Sequence, residues 1–293
     1  MHCIVYIIFT LFFLRIGSVP SGLKIESGRD AKYDEFPFIV RLESRILLTF
    51  GNKMSAENNV HLCTGVALSP TWTLTAGHCV DSTGPMKDLS DNLRLQTVIR
   101  YGSVNSSTAE VISSVLHPSF HDPQLKMQND IGLLRTEIMR LKTFAVLSTV
   151  DINTLGSHEV TLVGHSNANG SLRIGGTEIV DKKTPPQLLK LFIVRFESRN
   201  ESTLPSKCVA LHCQASSSLC AGDSGGPMLH STGVVGITSL SLDNIRLCSA
   251  VNKHGLVRMD FITPIYPHIK WINENVRRDA EILANNSSKI PNI

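Results

Sequence analysis

Short apolar and β-branched runs, separated by turn residues, dominate the hydrophobic pattern of this 293-residue chain. Runs of this length, with no long amphipathic helical pattern between them, are typical of β-strands. The earlier runs are Phe36–Leu42, Val66–Leu68, Trp72–Thr75, Thr97–Tyr101, Glu110–Leu116 and Ile131–Arg135. The later runs are Val160–Val163, Leu188–Phe196, Pro227–Leu229, Val234–Ser239 and Gly255–Phe261. The pattern predicts an all-β barrel or sandwich.

A different periodicity begins near the C-terminus. Isoleucine and valine recur there at helical spacing, at Ile265, Ile269, Ile272 and Val276. This stripe predicts a helix with one buried face. The following segment, 277–293, is polar and is predicted to be a solvated tail. Two further polar stretches, Phe50–Asn59 and Asp81–Asn92, are predicted to be loops.

The N-terminus has the composition of a secretory signal. Its apolar run, Ile4–Leu14, is far shorter than the ~20 residues that a membrane-spanning helix needs. Small residues follow, so we expect residues 1–18 to be the signal peptide, with cleavage as late as Ser21. Residues 19–24 are then a short pro-segment. An uncleaved anchor is the alternative interpretation.

Cysteine content agrees with a secreted protein. One of the seven cysteines, Cys3, lies inside the predicted signal. An even set remains, as expected in an oxidising compartment: Cys63, Cys79, Cys208, Cys213, Cys220 and Cys248. Free thiols or a zinc site are alternatives, but no compact Cys/His spacing favours a metal. The sequence predicts no metal and no cofactor.

The net charge and the glycosylation motifs agree with a secreted protein and indicate no further function. A net charge of +3 is too small to imply binding to nucleic acid or to a membrane. Asn-X-Ser/Thr motifs predict glycans on surface loops. Their acceptors are Asn105, Asn169, Asn200, Asn285 and Asn286.

Three separated motifs carry the chemistry. Gly222-Asp223-Ser224-Gly225-Gly226 contains a candidate nucleophile, but a serine hydroxyl needs an activating base and a group that orients this base. The segment Thr75–Cys79 offers His78, and Asn129–Leu134 offers Asp130. Each motif alone can be explained without catalysis, as a turn, a packed histidine or a charge at the edge of a strand. Together, in the order His, Asp, Ser, they resemble the chymotrypsin/trypsin family of secreted serine proteases.

This resemblance covers residues 25–276 and implies two six-stranded antiparallel barrels with the active site in the cleft between them, plus a C-terminal helix. It implies that Ser224 attacks a carbonyl carbon, that His78 acts as general base and acid, and that Asp130 orients the histidine. The backbone N–H groups of Gly222 and Ser224 are the implied oxyanion hole. Protein or peptide substrates, a monomeric state and protein inhibitors as partners are expected as well.

Activation and disulfide pairing are also implied by the family. Cleavage after Lys24 by a trypsin-like enzyme frees the Ile25 amine, which pairs with Asp223 and orders the oxyanion hole. Glu26 and Ser27 stand where relatives more often have a small apolar residue and glycine. The implied disulfides are Cys63–Cys79 and Cys220–Cys248, which leaves Cys208 and Cys213 as the third pair.

The family pattern places the primary specificity pocket at Ser218, Leu219, Ser239, Leu240, Ser241 and Gly255. Ser218 at its floor offers no fixed negative charge for a basic side chain. Leu219 adds bulk beside the floor, and Ser239-Leu240-Ser241 replaces the more usual Ser-Trp-Gly, so the pocket loses an aromatic wall and a glycine lip. We expect this narrowed, uncharged pocket to prefer medium or small apolar side chains. Asp243 leaves a basic substrate as an alternative.

Two other function classes stay open. A catalytically silent homologue that binds a partner is compatible with the altered pocket. An esterase of the α/β-hydrolase type is disfavoured by the residue order and by the absent strand–elbow–helix context. No spacing among the remaining histidines that we considered demands a metal ligand or a catalytic role. These are His61, His117, His121, His165, His212, His230, His254 and His268.

Overall fold

A computed structural model describes residues 29–32, 34–50, 53–83, 86–90, 92–102, 106–120, 128–155, 158–165, 172–179, 190–192, 209–213, 222–241 and 258–287. Its strands are β1 Arg29–Asp30, β2 Ile39–Phe50, β3 Lys53–Ser69, β4 Trp72–Thr75, β5 Met86–Ser90, β6 Leu93–Tyr101, β7 Ser107–Leu116, β8 Gly132–Thr136, β9 Glu159–His165, β10 Leu172–Ile179, β11 Lys190–Phe192, β12 Val209–Cys213, β13 Pro227–His230, β14 Gly233–Ser241 and β15 Arg258–Pro264. The helices are α1 Gly77–Asp81 and α2 Ile269–Ser287, with 3₁₀ turns at Ile152–Thr154 and Tyr266–His268.

The N-terminal half forms a closed barrel. Its strands pair in the order β2-β3-β4-β8-β7-β6, and β2 pairs again with β6 to complete the ring. Six strands therefore close the barrel, as predicted, and β5 adds to the edge of β6. Inward side chains that are fully buried, such as Val40, Leu42 and Ile99, fill its core.

The second sheet departs from the predicted six strands. It runs β1-β10-β11-β12-β15-β14-β13-β9, and the β10–β9 pairing closes a ring of seven strands among the described residues. The contact between β10 and β11 is parallel. We did not predict β10, whose apolar residues are interrupted by Gly175 and Gly176. Long-range pairing with β9 makes this segment a strand despite its weak local pattern.

Two stretches that we predicted to be loops are strands. Lys53–Asn59 belongs to β3 and pairs with the outer half of β2, and Met86–Ser90 forms β5. Both segments are largely polar in sequence, so backbone hydrogen bonding defines the two ladders and no apolar alternation marks them. Arg45 crosses this sheet, with its guanidinium 3.1 Å from Glu57 and 3.4 Å from Glu110.

The C-terminal helix packs as its stripe predicted. Ile265 and Ile272 are buried in a cluster that contains Leu74 of the first barrel and Ile237 of the second sheet. The helix thereby joins both halves of the molecule. It continues to Ser287, past Val276, so the start of the segment predicted to be a tail is helical. Among the described helices, none combines the length and the apolar character that crossing a bilayer requires.

A buried histidine cluster anchors this helix to the loop before Asp130. The ring of His117 lies 4.9 Å from the rings of His268 and of Trp271, in edge-on geometry. His268 is 4% exposed, and its Nε2 has no hydrogen-bond partner among the residues that the structure describes. Burial, with a smaller contribution from His117, lowers the pKa of His268 to about 4. Burial also lowers the pKa of His117.

We predict that this cluster makes the fold sensitive to mild acid. The unfolded chain binds a proton at His268 below a pKa of about 6.5, whereas the folded chain does not until about pH 4. Above about pH 6.5 His268 should therefore not lower the free energy of unfolding. Between pH 6.5 and pH 4 it should lower this free energy by about 3 kcal/mol. Urea unfolding at several pH values between about pH 4 and pH 6.5 measures this change in the free energy of unfolding. In His268→Gln the free energy of unfolding should depend less steeply on pH. If the substitution instead lowered it equally at every pH, His268 would contribute through packing alone.

Candidate active site

Strand pairing brings the histidine and the aspartate together. Thr75, the last residue of β4, pairs with Gly132, the first residue of β8. The residues just beyond these two ends therefore share one edge of the barrel. The chain turns from β4 through extended Ala76 into α1, which carries His78. On the other side, Asn129 adopts φ 49° and precedes Asp130. This conformation is tolerated better by asparagine than by most residues.

The Asp130 carboxylate is fully buried and accepts three hydrogen bonds. The backbone N–H of His78 donates to Oδ1 at 2.8 Å. The ring Nδ1 of His78 lies 2.9 Å from Oδ2, and the hydroxyl of Ser239 donates to the same oxygen. A carboxylate held in this way fixes the Nδ1–H tautomer of the imidazole and leaves Nε2 able to accept a proton.

These donors decide the charge of Asp130. Burial alone would raise the pKa of this carboxyl, but the hydrogen bonds from His78 and Ser239, together with the charge that the histidine can carry, hold it below its ordinary value. Asp130 is thus ionised at neutral pH in spite of its burial. An ionised carboxylate at this position stabilises an imidazolium, which is the charge that forms when His78 takes a proton.

Ser224 lies on a tight turn that is clamped from two sides. Its carbonyl accepts from the N–H of Thr64 at 2.8 Å, which attaches the turn to the first barrel. Gly225 N–H donates to Thr238 O at 2.7 Å, which attaches the turn to β14. Gly225 has φ 80°, and a Cβ there would lie 2.1 Å from Thr75 Oγ1, so only glycine fits.

In this structure the hydroxyl of Ser224 points towards β14. Its Oγ donates to the carbonyl of Ser239 at 3.3 Å. The hydroxyl of Ser239 in turn bonds Asp130, so contacts run without a break from the serine through Ser239 to the carboxylate and His78. Catalytic hydrogen bonds are often absent or long in unliganded enzymes, and rotation about χ1 of Ser224 would redirect its Oγ.

Gly222 is held by residues that the sequence analysis did not single out. Its carbonyl accepts from Thr64 Oγ1 at 2.8 Å and lies 3.2 Å from His61 Nε2. The same histidine nitrogen is 2.5 Å from the carbonyl of His165. Burial and nearby Arg41 lower the pKa of His61 and favour the neutral ring, which donates through Nε2–H. His61 precedes Cys63 by two positions, and nothing in its local sequence reveals this contact.

Asp223 is buried, and its side chain packs against Gly164. Lys24 and Ile25, with which the sequence analysis links it, lie outside the described residues. Of the expected pocket, Ser239 is described and is buried in β14, and Leu240 and Ser241 continue this strand. We expected Ser239 to line the pocket, and we did not predict its hydrogen bond to Asp130. Ser218, Leu219, Gly255 and Asp243 lie outside the described residues.

The expected disulfide between Cys63 and Cys79 is present, with the Cα atoms 6.3 Å apart. It ties β3 to α1 and so braces the helix that carries His78. The sulfurs of this pair and His78 form a group with the spacing of metal ligands, but each sulfur already bonds the other. Cys213 lies in β12, while Cys208, Cys220 and Cys248 fall outside the described residues.

The predicted glycan acceptors are little described. Asn105, Asn169 and Asn200 fall outside the described residues. Asn285 and Asn286 lie in the last turn of α2 rather than on a loop. Glycosylation therefore remains a prediction at all of these positions.

Several known proteins are similar to this chain along most of its length. The family model described as Trypsin matches residues 25–272. Human granzyme M is 26% identical over 274 residues, covering 91% of this chain and 94% of its own. The vitellin-degrading protease of Bombyx mori is 24% identical, covering 87% and 86%. A trypsin of Phaedon cochleariae is 24% identical, covering 86% and 88%.

Solved structures give the same fold. A structure of HL collagenase matches with a TM-score of 0.58 at 18% identity, covering 86% of this chain and 98% of its own. Neuropsin, a serine protease expressed in mouse brain, matches with a TM-score of 0.59 at 19% identity, covering 85% and 99%. At these identities the likeness bears on the fold alone.

Proposed function

The chain belongs to the trypsin family of serine proteases, and we propose that it is a secreted endopeptidase that hydrolyses peptide bonds through an acyl-enzyme. One observation carries the proposal. The buried carboxylate of Asp130 bonds Nδ1 of His78 and so fixes the tautomer of this imidazole. Both residues lie beside the turn that presents Ser224. Burying a carboxylate is costly, and an uncharged residue would fill the same space at a lower cost in stability. A catalytic role accounts for the charge.

In the proposed mechanism, Oγ of Ser224 attacks the scissile carbonyl carbon while Nε2 of His78 takes the hydroxyl proton. The resulting imidazolium is stabilised by Asp130, and it delivers the proton to the leaving amine. Water then repeats the sequence on the acyl-enzyme and releases the second product. General acid–base catalysis of this kind contributes roughly 10²–10⁴-fold to the rate.

The backbone N–H groups of Gly222 and Ser224 are proposed to bind the oxyanion of the tetrahedral intermediate. The positive φ of Gly222 and the clamp on its carbonyl by Thr64 and His61 support this role, because they fix the orientation of the turn. Donors that are oriented before the reaction cost no reorganisation when charge develops.

Activation, specificity and location complete the proposal. We propose a zymogen, with residues 19–24 as the pro-segment and Asp223 as the partner of a new Ile25 amine. The uncharged pocket around Ser218 is proposed to accept medium or small apolar side chains. Secretion, a monomeric state and control by protein inhibitors are proposed on the strength of the signal sequence and the family.

Cutting the Lys24–Ile25 bond should switch the enzyme on. We expect kcat/KM on a library of apolar-residue peptides to rise on the order of 10²–10³-fold, the contribution of an ordered oxyanion donor. Trypsin treatment followed by N-terminal sequencing and rate measurement tests this. Lys24→Gln should resist activation, whereas Lys32→Gln, a matched loss of a nearby exposed lysine, should not. Equal rates for the intact and cut chains would rule out the zymogen proposal and leave the endopeptidase proposal standing.

A further inference from the structure

Asn129, directly before Asp130, has a left-handed backbone. Its φ is 49°, and the only other non-glycine residue with a positive φ in the described part of the chain is Asp34, at φ 53°. Such a conformation is unfavourable for residues with a Cβ and persists where the surrounding structure holds it. The contacts of Asn129 show what holds it and what it holds in turn.

The side chain of Asn129 joins the two ends of the segment that leads from β7 to Asp130. Its Nδ2 donates to the carbonyl of Ser119 at 2.8 Å, across ten positions of the chain. Close by, the N–H of His117 donates to the carbonyl of Ile131 at 3.2 Å. The segment is therefore fastened to the chain on both sides of Asp130.

The backbone of Asn129 shapes the turn in which Asp130 lies. The N–H of Ile131 donates to the carbonyl of Asn129 at 2.7 Å, across the single residue between them. A hydrogen bond between residues two positions apart closes a three-residue turn, and Asp130 is the central residue of this turn. The left-handed φ of Asn129 sets the direction in which the chain enters it. The aim of the Asp130 carboxylate towards His78 thus depends on the conformation of Asn129.

The same segment also contacts the residue before His78. A Cβ added to Gly77 would lie 2.8 Å from Cδ2 of Phe120 and 2.9 Å from the backbone nitrogen of Ile131, so Gly77 packs closely against both. Gly77 begins α1, and His78 is the next residue of this helix. Phe120 follows directly after the carbonyl to which the amide of Asn129 donates. The amide therefore holds the support of the histidine as well as that of the aspartate.

We infer that Asn129 is a positioning residue for the pair Asp130–His78. Its backbone aims the carboxylate, and its amide fixes the segment that packs against the start of α1. The expected effect on rate rests on the proposed function, in which the two side chains act as a unit. A displacement of catalytic groups by about 1 Å can cost on the order of 10²-fold in rate.

Kinetics of three variants of the activated full chain test this role. Asn129→Ala loses the amide and tolerates the left-handed backbone poorly, so kcat should fall on the order of 10²-fold with KM nearly unchanged. Asn129→Gly adopts this backbone freely but lacks the amide, and its kcat should lie between those of Asn129→Ala and the wild type. Asp34→Ala is the matched control, because it places alanine at the other left-handed residue, in an exposed turn before β2. Its kcat should equal that of the wild type.

Proton NMR measures the same positioning without turnover. The Nδ1–H of His78 donates to an ionised carboxylate at 2.9 Å, and a charge-assisted hydrogen bond of this kind moves the proton resonance far downfield. We expect this resonance in the wild type and in Asp34→Ala, and its loss or an upfield shift in Asn129→Ala. A loss of stability without a change in position would leave it in place.

Several results would overturn the inference. One is an Asn129→Ala variant that keeps both the kcat and the downfield resonance of the wild type. Another is an equal loss of kcat in Asp34→Ala, which would indicate general destabilisation. If Asn129→Ala does not fold, an Asn129→Gly variant indistinguishable from the wild type in both measurements would overturn it as well. An inactive wild type whose downfield resonance disappears in Asn129→Ala would contradict the proposed function and uphold the positioning role.

Discussion

Replacing Asp130 with asparagine is expected to lower kcat about 10⁴-fold while the protein remains folded. The carboxylate accepts hydrogen bonds from three donors, and two of them, His78 Nδ1 and the Ser239 hydroxyl, share Oδ2. An asparagine has only one acceptor oxygen, so its NH₂ group must face a donor. If it faces Nδ1, the imidazole shifts its proton to Nε2 and can no longer take a proton from Ser224.

Steady-state kinetics of the activated variant measures this effect. We expect the loss in kcat with KM nearly unchanged, because Asp130 does not contact substrate in the proposed mechanism. Asp151→Asn is a matched control. Asp151 caps a 3₁₀ turn by accepting from the N–H of Asn153 at 3.0 Å, and asparagine is an equally good cap. A kcat for Asp130→Asn within a few-fold of the wild type would contradict the assigned role.

The second large effect is expected from Gly222→Ala. This glycine has φ 97°, and an added Cβ would lie 2.6 Å from His61 Nε2 and 2.9 Å from the carbonyl of His165. The turn must therefore shift, and the backbone N–H groups of Gly222 and Ser224 lose their alignment. Removing one oxyanion donor costs about 10²–10³-fold in kcat, and we expect at least this loss.

Pre-steady-state acylation on a peptide ester resolves the step that Gly222→Ala slows. The acylation rate should fall, and the thermal unfolding of the variant should remain cooperative. An acylation rate within ten-fold of the wild type for this variant would argue that this turn is not the oxyanion site.

Residue type, chain order and the family resemblance together predicted that His78 and Asp130 lie side by side. His78 and Asp130 are adjacent because they follow and precede two strands, β4 and β8, whose apolar runs are visible in the sequence. The same runs predicted an all-β barrel or sandwich, and the family resemblance selected the six-stranded barrel. The C-terminal helix was equally visible, because its stripe has a helical period and a buried face.

Contacts fixed by long-range pairing were not predictable in this way. His61 is positioned under Gly222 by strand register, and its sequence neighbours carry no sign of it. Strand β10 was missed because Gly175 and Gly176 interrupt its apolar residues, and β5 because Met86–Ser90 shows no apolar alternation. Ser239 was expected at the pocket, but its hydrogen bond to Asp130 depends on how two sheets meet.

The central claim is that Ser224 is an activated nucleophile, and labelling with a fluorophosphonate tests it most directly. The purified chain should be cut after Lys24, treated with the reagent and digested for mass spectrometry. We predict one phosphonyl group per chain, on Ser224, with no label in Ser224→Ala and far slower labelling in Asp130→Asn. A folded, cut protein with its Cys63–Cys79 disulfide intact that takes up no label would contradict the claim and indicate a protein that binds a partner without catalysis.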